Sequence, residues 1–482
     1  MAIEQFLLIA GDSALKDQKK IQSSQSSSTL PPTKEPKKEP KLDTPFKPDL
    51  SLLKRLALKG SIWVLLGFGI AQVLRIFGNV ILTRLLSPEV FGIMGLVTAL
   101  LMGLNMFSDL GLRGSIIRSQ RGEEPIFLHT AWCIQIIRGF ILALFAAILA
   151  WPIGLLNQEQ SLFLIIPIAG LSMIISGFNS TWLLVYSRRM ILNKLVILDL
   201  ITQAISIISM IVWAWLSPTI WALVFGNFVS SFFKLIVSHS LFKGVPMQFK
   251  WEPTIVRELI LFGRWIFISS ALGFLVSRLD IFVFGSIAGM TALGFFVLAK
   301  TLSRVITVAL TKLSSMVLLP VYSRLAERNI ATLRHNTFKI RGLLLALFLP
   351  PLWMLIFWGD EIINVLYDER YQDAGWMLQI LAAGAIPTAV ITTIHPVLLA
   401  VGDSFRHMLN SLVRACFQIV GMFIGYQVAG VPGFLVGLGL ADLLSYPFTA
   451  YLIYPYRIWL PKLDISALGI SAIVIGIAWW IH

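Results

Sequence analysis

Residues 62–82 read Ile62-Trp63-Val64-Leu65-Leu66-Gly67-Phe68-Gly69-Ile70-Ala71-Gln72-Val73-Leu74-Arg75-Ile76-Phe77-Gly78-Asn79-Val80-Ile81-Leu82. Arg75 is the only charge in a stretch otherwise free of ionisable groups. As a helix the stretch is roughly 30 Å long, the thickness of a bilayer's hydrocarbon core. The pattern recurs along the chain. Further apolar runs fall at 92–109, 131–155, 161–185, 195–216, 219–238, 264–286, 293–319, 341–359, 374–400, 411–429 and 432–453. A thirteenth, 465–481, either spans or lies at the interface with Trp479 and Trp480 among the headgroups. Of 482 residues, 57% are apolar and 13% charged, against about 25% charged in soluble domains. This excludes a soluble enzyme and a disordered chain. It also excludes a membrane β-barrel, whose strands are short and alternate. The expected fold is an all-α polytopic membrane protein, because lone strands leave backbone groups unpaired in lipid.

The formal charge is +14. Nucleic acid is not the partner this implies, since cytoplasmic loops of membrane proteins collect Lys and Arg. With the N-terminus inside, the inner loops and tail hold thirty cations, while the outer loops hold only Arg84 and Arg370. The outer loops also carry seven acids, five of them between Asp360 and Asp373. That loop is too short for a catalytic periplasmic domain and reads as solvated. Residues 1–58 contain a Ser/Gln tract and a Pro/Lys/Glu run, and are expected to be a disordered cytoplasmic tail without a cleavable signal. Cys133 and Cys416 form no disulfide framework, and no two of the six histidines stand at ligand spacing. No catalytic centre, metal or cofactor is expected.

A weak repeat runs at an offset of 202: Trp63 aligns with Trp265, Gly92 with Gly294 and Leu96 with Leu298. Six spans separate the copies, so the halves share one orientation. Parallel repeats of this kind place the substrate path between two lobes. The expected organisation is a tail (1–58), an N-lobe of six helices (60–240), a cytoplasmic linker (241–263), a C-lobe of six helices (264–455) and an extension (456–482).

Seven cations lie inside spans: Arg75, Arg138, Lys234, Arg278, Lys300, Arg304 and Lys312. A mid-membrane charge costs several kcal/mol and faces a partner or water. Lys234, and Arg414 near a span end, are expected to snorkel; Asp109 is expected to cap its span. Arg75, Arg278 and Lys300 fall at one depth on three helices, roughly 10–12 Å below the outer surface. Arg304 and Lys312 continue from Lys300 along one helix within an arc of about 120°. These cations, with Arg138, are the expected walls of a cavity for an anionic group. The acids Asp199, Asp280 and Asp442 are candidates for ion coupling; Asp280 is equally readable as an ion-pair partner of Arg278 or Lys300. Gly67-Phe68-Gly69 is not a dinucleotide loop, because it lies inside a span, and Asn179-Ser180-Thr181 is a buried sequon.

Residues 82–92, Leu82-Thr83-Arg84-Leu85-Leu86-Ser87-Pro88-Glu89-Val90-Phe91-Gly92, and 107–112, Phe107-Ser108-Asp109-Leu110-Gly111-Leu112, resemble the opening of the Wzx-type polysaccharide flippases. So do Leu319-Pro320-Val321-Tyr322-Ser323-Arg324-Leu325 and the stretch from Leu366 to Trp376. That family belongs to the multidrug/oligosaccharidyl-lipid/polysaccharide exporter superfamily, and the resemblance covers about 60–455. It implies a 12-helix core of two lobes that open alternately. It implies a cargo of oligosaccharide on undecaprenyl diphosphate, carried across the bacterial inner membrane, with ion-gradient coupling and other polysaccharide-assembly membrane proteins as partners. Rival readings are a multidrug-type cation antiporter, a membrane-embedded polymerase or ligase, and a non-transporting scaffold. The antiporter usually has an acid in its first span, where this chain has Arg75.

Overall fold

The computed structural model describes residues 50–108, 112–119, 121–242, 244–322 and 330–481. The tail up to residue 49, Asp109 and residues 323–329, which include the end of the third family-like stretch, lie outside the described residues.

Every regular element among the described residues is helical. The N-lobe contains α1 (Leu50–Leu85), α2 (Pro88–Phe107), α3 (Leu112–Arg118), α4 (Pro125–Leu156), α5 (Leu162–Gly177), α6 (Trp182–Arg188), α7 (Leu192–Leu216) and α8 (Trp221–Ser240). A continuous helical stretch, Pro253–Tyr322, is broken at Gly289, whose φ of 79° is left-handed. It therefore forms α9 (253–288) and α10 (290–322). Then come α11 (Ile330–Phe357), α12 (Gly359–Leu366), α13 (Ala374–Ile394) and α14 (Pro396–Ala400). Ser404–Ile453 breaks at Ala429 and Gly430 into α15 (404–428) and α16 (431–453), and α17 is Pro461–Ile481. The two breaks split the two longest apolar stretches, completing two six-helix lobes, with α17 as a thirteenth helix long enough to span.

The fourth span departs from the expected continuous helix over 161–185. It bends by 65° between α5 and α6. The bend is tolerated because its freed carbonyls find partners. Trp132 Nε1 donates to Phe178 O (3.1 Å), and Gln135 Nε2 to Gly177 O (2.9 Å) and Asn179 O (3.0 Å). The interlobe linker docks on this break through Trp182 Nε1, which donates to Val245 O at 2.9 Å. The expected tenth span, 374–400, runs through as one span, Ala374–Leu398, with Pro396 following His395, whose dihedrals stay helical.

The internal repeat acquires a physical meaning at the α2–α10 contact. A Cβ on Gly92 would lie 1.9 Å from Met290 O, and one on Gly294 would lie 1.9 Å from Pro88 O. These contacts exchange under the offset of 202. Gly95 meets Val297, its own repeat mate. A local two-fold axis therefore passes between the lobes beside Gly95, and only glycine lets the two backbones approach this closely.

Packing is divided unequally along that axis. One apolar cluster joins both lobes at the cation-poor end, from Leu82, Leu96 and Leu223 to Phe284, Phe296, Tyr371 and Phe434. At the basic end each lobe has its own cluster. One is built around Phe127, Trp182 and Tyr186, the other around Tyr322, Leu352 and Ile394. The lobes are fused at one end and packed separately at the other. At the fused end Arg370 donates to the free carbonyls of Thr83 (3.3 Å) and Arg84 (3.0 Å) at the α1 C-terminus, and Tyr371 Oη donates to Leu86 O (2.9 Å). A cation at a helix C-terminus complements the helix dipole.

Candidate functional site: a cationic cleft between the lobes

Arg75 projects from α1 of the N-lobe; Arg278 lies on α9, and Lys300 and Arg304 on α10 of the C-lobe. Arg75 and Arg304 lie within electrostatic reach of Arg278, and Arg304 and Arg278 within reach of Lys300. Arg278 is thus the residue that has Arg75 of the other lobe near it, while Lys300 neighbours Arg278 and Arg304 within the C-lobe. The group has one carboxylate. Asp280 is 1% exposed, pairs with Lys300, and accepts from its neighbour's amide, Ile281 N–H, at 3.0 Å. Of the two partners expected for Asp280, Lys300 is the one that meets it. Arg278 instead points Nη2 at Met102 Sδ across the lobe boundary (3.0 Å), and its buried Nε has no partner among the described residues. Four cations against one acid leave an excess of positive charge in a low-dielectric cleft, where an anion with several acceptor oxygens fits.

Of the remaining candidates, Asp442 shares a cavity with Asp280, Lys300 and Arg304, and the others lie elsewhere. Lys312 leaves the α10 ladder and places its ammonium 3.8 Å from the centre of the Phe68 ring on α1. Arg138 donates to Ser108 Oγ (2.8 Å) and Asn105 O (2.9 Å), at the basic end of α2. Asp199 pairs with Lys234 at 2.8 Å. Asp442 pairs with Arg414 (Nη2 to Oδ2, 2.7 Å) and also accepts from Thr388 Oγ1. Lys234 and Arg414 thus meet carboxylates rather than simply snorkelling.

Two cavities open around these groups. One, of about 490 Å³, lies within the C-lobe and is lined by Asp280, Lys300, Arg304, Thr388, Arg414 and Asp442. The other, of about 570 Å³, lies between the N-lobe and Lys312, with Phe68, Arg113, Asp199, Gln203 and Lys234 on its walls. Sequence reasoning missed Arg414 and Phe68. The close approaches of Gly421 to Gly437 and Gly425 to Gly433 set an antiparallel register centred on residue 429, which brings Arg414 within a turn of Asp442. Phe68 gives no signal in sequence, because an aromatic residue in a span is ordinarily a lipid or packing contact.

The chain resembles solved structures over most of its length. It matches the lipid II flippase MurJ in an inward closed conformation with a TM-score of 0.61 and 15% identity, over 90% of this chain and 93% of that one. It matches an inward-facing multidrug resistance MATE family transporter of the MOP superfamily with a TM-score of 0.61 and 14% identity, over 80% of this chain and 95% of that one. These likenesses show the fold: a helical membrane protein of the two-lobe type found in that superfamily. Among sequences, the lipopolysaccharide biosynthesis protein WzxC of Escherichia coli K12 is 21% identical over 404 residues, spanning 82% of this chain and 80% of that protein. The family model described as "Polysaccharide biosynthesis protein" matches residues 81–375, more than half the chain and including Arg278, Lys300 and Arg304. The chain therefore belongs to the polysaccharide biosynthesis protein family.

Proposed function

We propose that this protein is a flippase that moves an oligosaccharide linked to undecaprenyl diphosphate from the cytoplasmic to the periplasmic leaflet of a bacterial inner membrane. The observation that carries this reading is the excess of cations at Arg75, Arg278, Lys300 and Arg304 near the lobe boundary, of which Asp280 pairs with Lys300 only among the described residues. Guanidinium groups bind phosphoryl oxygens through paired, charge-assisted hydrogen bonds. The N-terminus lies inside, as the thirty-to-two cation asymmetry requires. The fused, cation-poor end is then periplasmic, and the structure is the cytoplasm-facing state of an alternating-access cycle. The chain ahead of α1 forms the cytoplasmic tail, shorter than the expected 1–58 because α1 starts at Leu50, and 241–252 with the start of α9 link the lobes on the cytoplasmic side. Asp280 and Asp442, each held by a cation, are the candidates for ion coupling, with the peripheral Asp199 a third. The protein acts as a carrier rather than an enzyme, in company with other polysaccharide-assembly membrane proteins. A drug-antiporter reading is disfavoured by α1, which has Arg75 and no carboxylate from Leu50 to Leu85.

The test is complementation of a gene deletion. The deletion strain is expected to accumulate lipid-linked repeat units in the cytoplasmic leaflet. The wild-type gene should clear them, and Arg278→Ala should not, at equal protein level. Full clearance by Arg278→Ala refutes the phosphate-binding role. Cysteines at Ser217 and Gly430 should react with an impermeant reagent in intact cells, and one at Lys250 should not; labelling at Lys250 refutes the topology.

A further inference from the structure

We propose that His395, reached from the cytoplasm through His407, carries the proton whose inward movement drives this protein's outward transport step. This rests on the flippase reading and extends its ion coupling from the carboxylates to an imidazole. Each carboxylate lining the C-lobe cavity already holds a tethered cation: Asp280 has Lys300, and Asp442 has Arg414. A metal ion would have to displace one of them. His395 lines the same 490 Å³ cavity, and its ring meets an amide, Asn410, and a second imidazole, His407. The sequence builds this arrangement from three helices. Thr388, Thr392 and His395 recur at four and three residues at the end of α13. His407, Asn410 and Arg414 recur at three and four on α15, as do Asp442, Ser445 and Thr449 on α16. Residues so spaced share one helix face, and the three faces meet. Asn410 Nδ2 lies 3.2 Å from His395 Nε2, Thr449 Oγ1 lies 2.8 Å from Asn410 Oδ1, and the His395 and His407 rings stand edge to face with centroids 4.9 Å apart. His407 is half-buried and follows the exposed turn at Gly402 at the basic end. Arg414 lies two turns deeper, roughly 10 Å along α15.

Asn410 and Thr449 can serve both charge states of the ring. In this state Thr449 Oγ1 donates to Asn410 Oδ1 and Asn410 Nδ2 donates to His395 Nε2, so the imidazole is neutral with its proton on Nδ1. That is the state expected once a proton has left for the cytoplasm. When Nε2 is protonated, a half-turn of the amide lets Asn410 Oδ1 accept from it. Asn410 Nδ2 then donates to Thr449 Oγ1, and that hydroxyl donates to Ser445 O, 3.2 Å away. No buried donor is stranded in either state, which avoids the cost of an unmet polar group. The charged groups facing the pair are Asp403 and Arg406 at the entrance, Arg414 and Asp442 deeper in, and Asp280, Lys300 and Arg304 across the cavity. Arg341 and Asp464 pair on the far side of α13, at Thr393. The step moves one proton and no electrons. A nitrogen of His395 gives its proton through water to a nitrogen of His407, and His407 releases one to the cytoplasm; His395 is reloaded from the periplasm when the cleft opens that way.

The experiment uses the full chain in sealed liposomes that contain lipid-linked repeat units extracted from the deletion strain and a lumenal pH dye. Cargo movement is read as the share of glycan open to an impermeant oxidant. In the wild type a pH gradient should move cargo and give a proton flux that requires cargo, and a sodium gradient at equal pH should do neither. His395→Gln keeps a hydrogen-bonding group beside Asn410 but carries no proton. It should lose at least about tenfold of the cargo-dependent proton flux, with thermal stability and cargo binding unchanged. His407→Gln, at the half-buried entrance, tests the route without disturbing the buried network and should slow the flux at least about tenfold. Wild-type flux in His395→Gln overturns the inference, as does wild-type flux in His407→Gln. Cargo movement driven by sodium and not by pH also overturns it. Cargo movement indifferent to both gradients removes the proton coupling and leaves the flippase reading standing. If the wild type moves no cargo under either gradient, the flippase reading itself falls.

Discussion

Gly92→Ala should drive the lobes apart at the cation-poor end. The added methyl carbon would lie 1.9 Å from Met290 O, and ordinary contact begins at 3.4 Å. The obstructing atom is backbone, so no side-chain rotation relieves the clash; the helices must separate. Overpacking of this kind costs about 1–3 kcal/mol, and Gly294→Ala imposes the same clash on Pro88 O across the local two-fold axis. If separation of these ends is the outward-opening motion, the cost falls on the closed state alone. The closed-to-open ratio then drops by roughly fivefold to over a hundredfold for one substitution. Spin labels on Glu89 and Thr291, repeat mates that are both exposed, report the gap directly by electron–electron distance measurement. The wild type should show a short, narrow distribution. Either alanine should add a longer population, and the double variant should make it dominant. A folded, membrane-inserted double variant with an unchanged distribution would refute the account of these glycines as a separable contact.

Three further outcomes follow from the ion pairs. Lys300→Met strands the buried Asp280 carboxylate and should destabilise the protein by about 3–5 kcal/mol; Lys300→Met with Asp280→Asn should recover thermal stability but not export, and recovered export would assign the pair a purely structural role. Arg341, 1% exposed, pairs with the fully buried Asp464 and so pins α17 to α11; Arg341→Met should cost about 3–5 kcal/mol in unfolding measurements, largely restored by adding Asp464→Leu, and a neutral single variant would refute that anchoring. Hydrogen bonding from Arg370 holds the Asp368 carboxyl below the usual carboxylate range. A carboxyl with a lowered folded pKa contributes above its unfolded value and loses that contribution as pH falls through the folded one. The Arg370 contacts with Thr83 and Arg84 should therefore be intact at neutral pH and loosen in acid below about pH 4, seen as growth of the longer Glu89–Thr291 distance. Asp368→Asn should abolish the acid response, and an unchanged response in that variant would refute its assignment to Asp368.

Much of the architecture was legible along the chain. Period, length and composition identify helices that cross a bilayer, because lipid leaves the backbone no other economical way to pair its groups. The offset of 202 identified two lobes, and Gly92 and Gly294 were visible as repeat mates. Their role as mutual backbone contacts was not visible, since a glycine in a span reads the same whether it faces lipid or a neighbouring carbonyl. Charges inside apolar runs identified Arg75, Arg278, Lys300 and Arg304, because desolvation makes any such residue conspicuous. Partnership was decided by tertiary structure alone. Lys300 rather than Arg278 took Asp280, Arg414 took Asp442, and Lys312 turned onto Phe68. Depth along a helix follows from counting residues, but the direction a side chain faces depends on how each helix is rotated against its neighbours. That rotation is set by small-residue contacts such as Gly67 on Val196 and Gly103 on Phe274, between segments far apart in sequence. The sequence by itself therefore determined which residues are unusual in a membrane and at what depth they lie; only the packed structure decided which of them face one another and which remain available to a ligand.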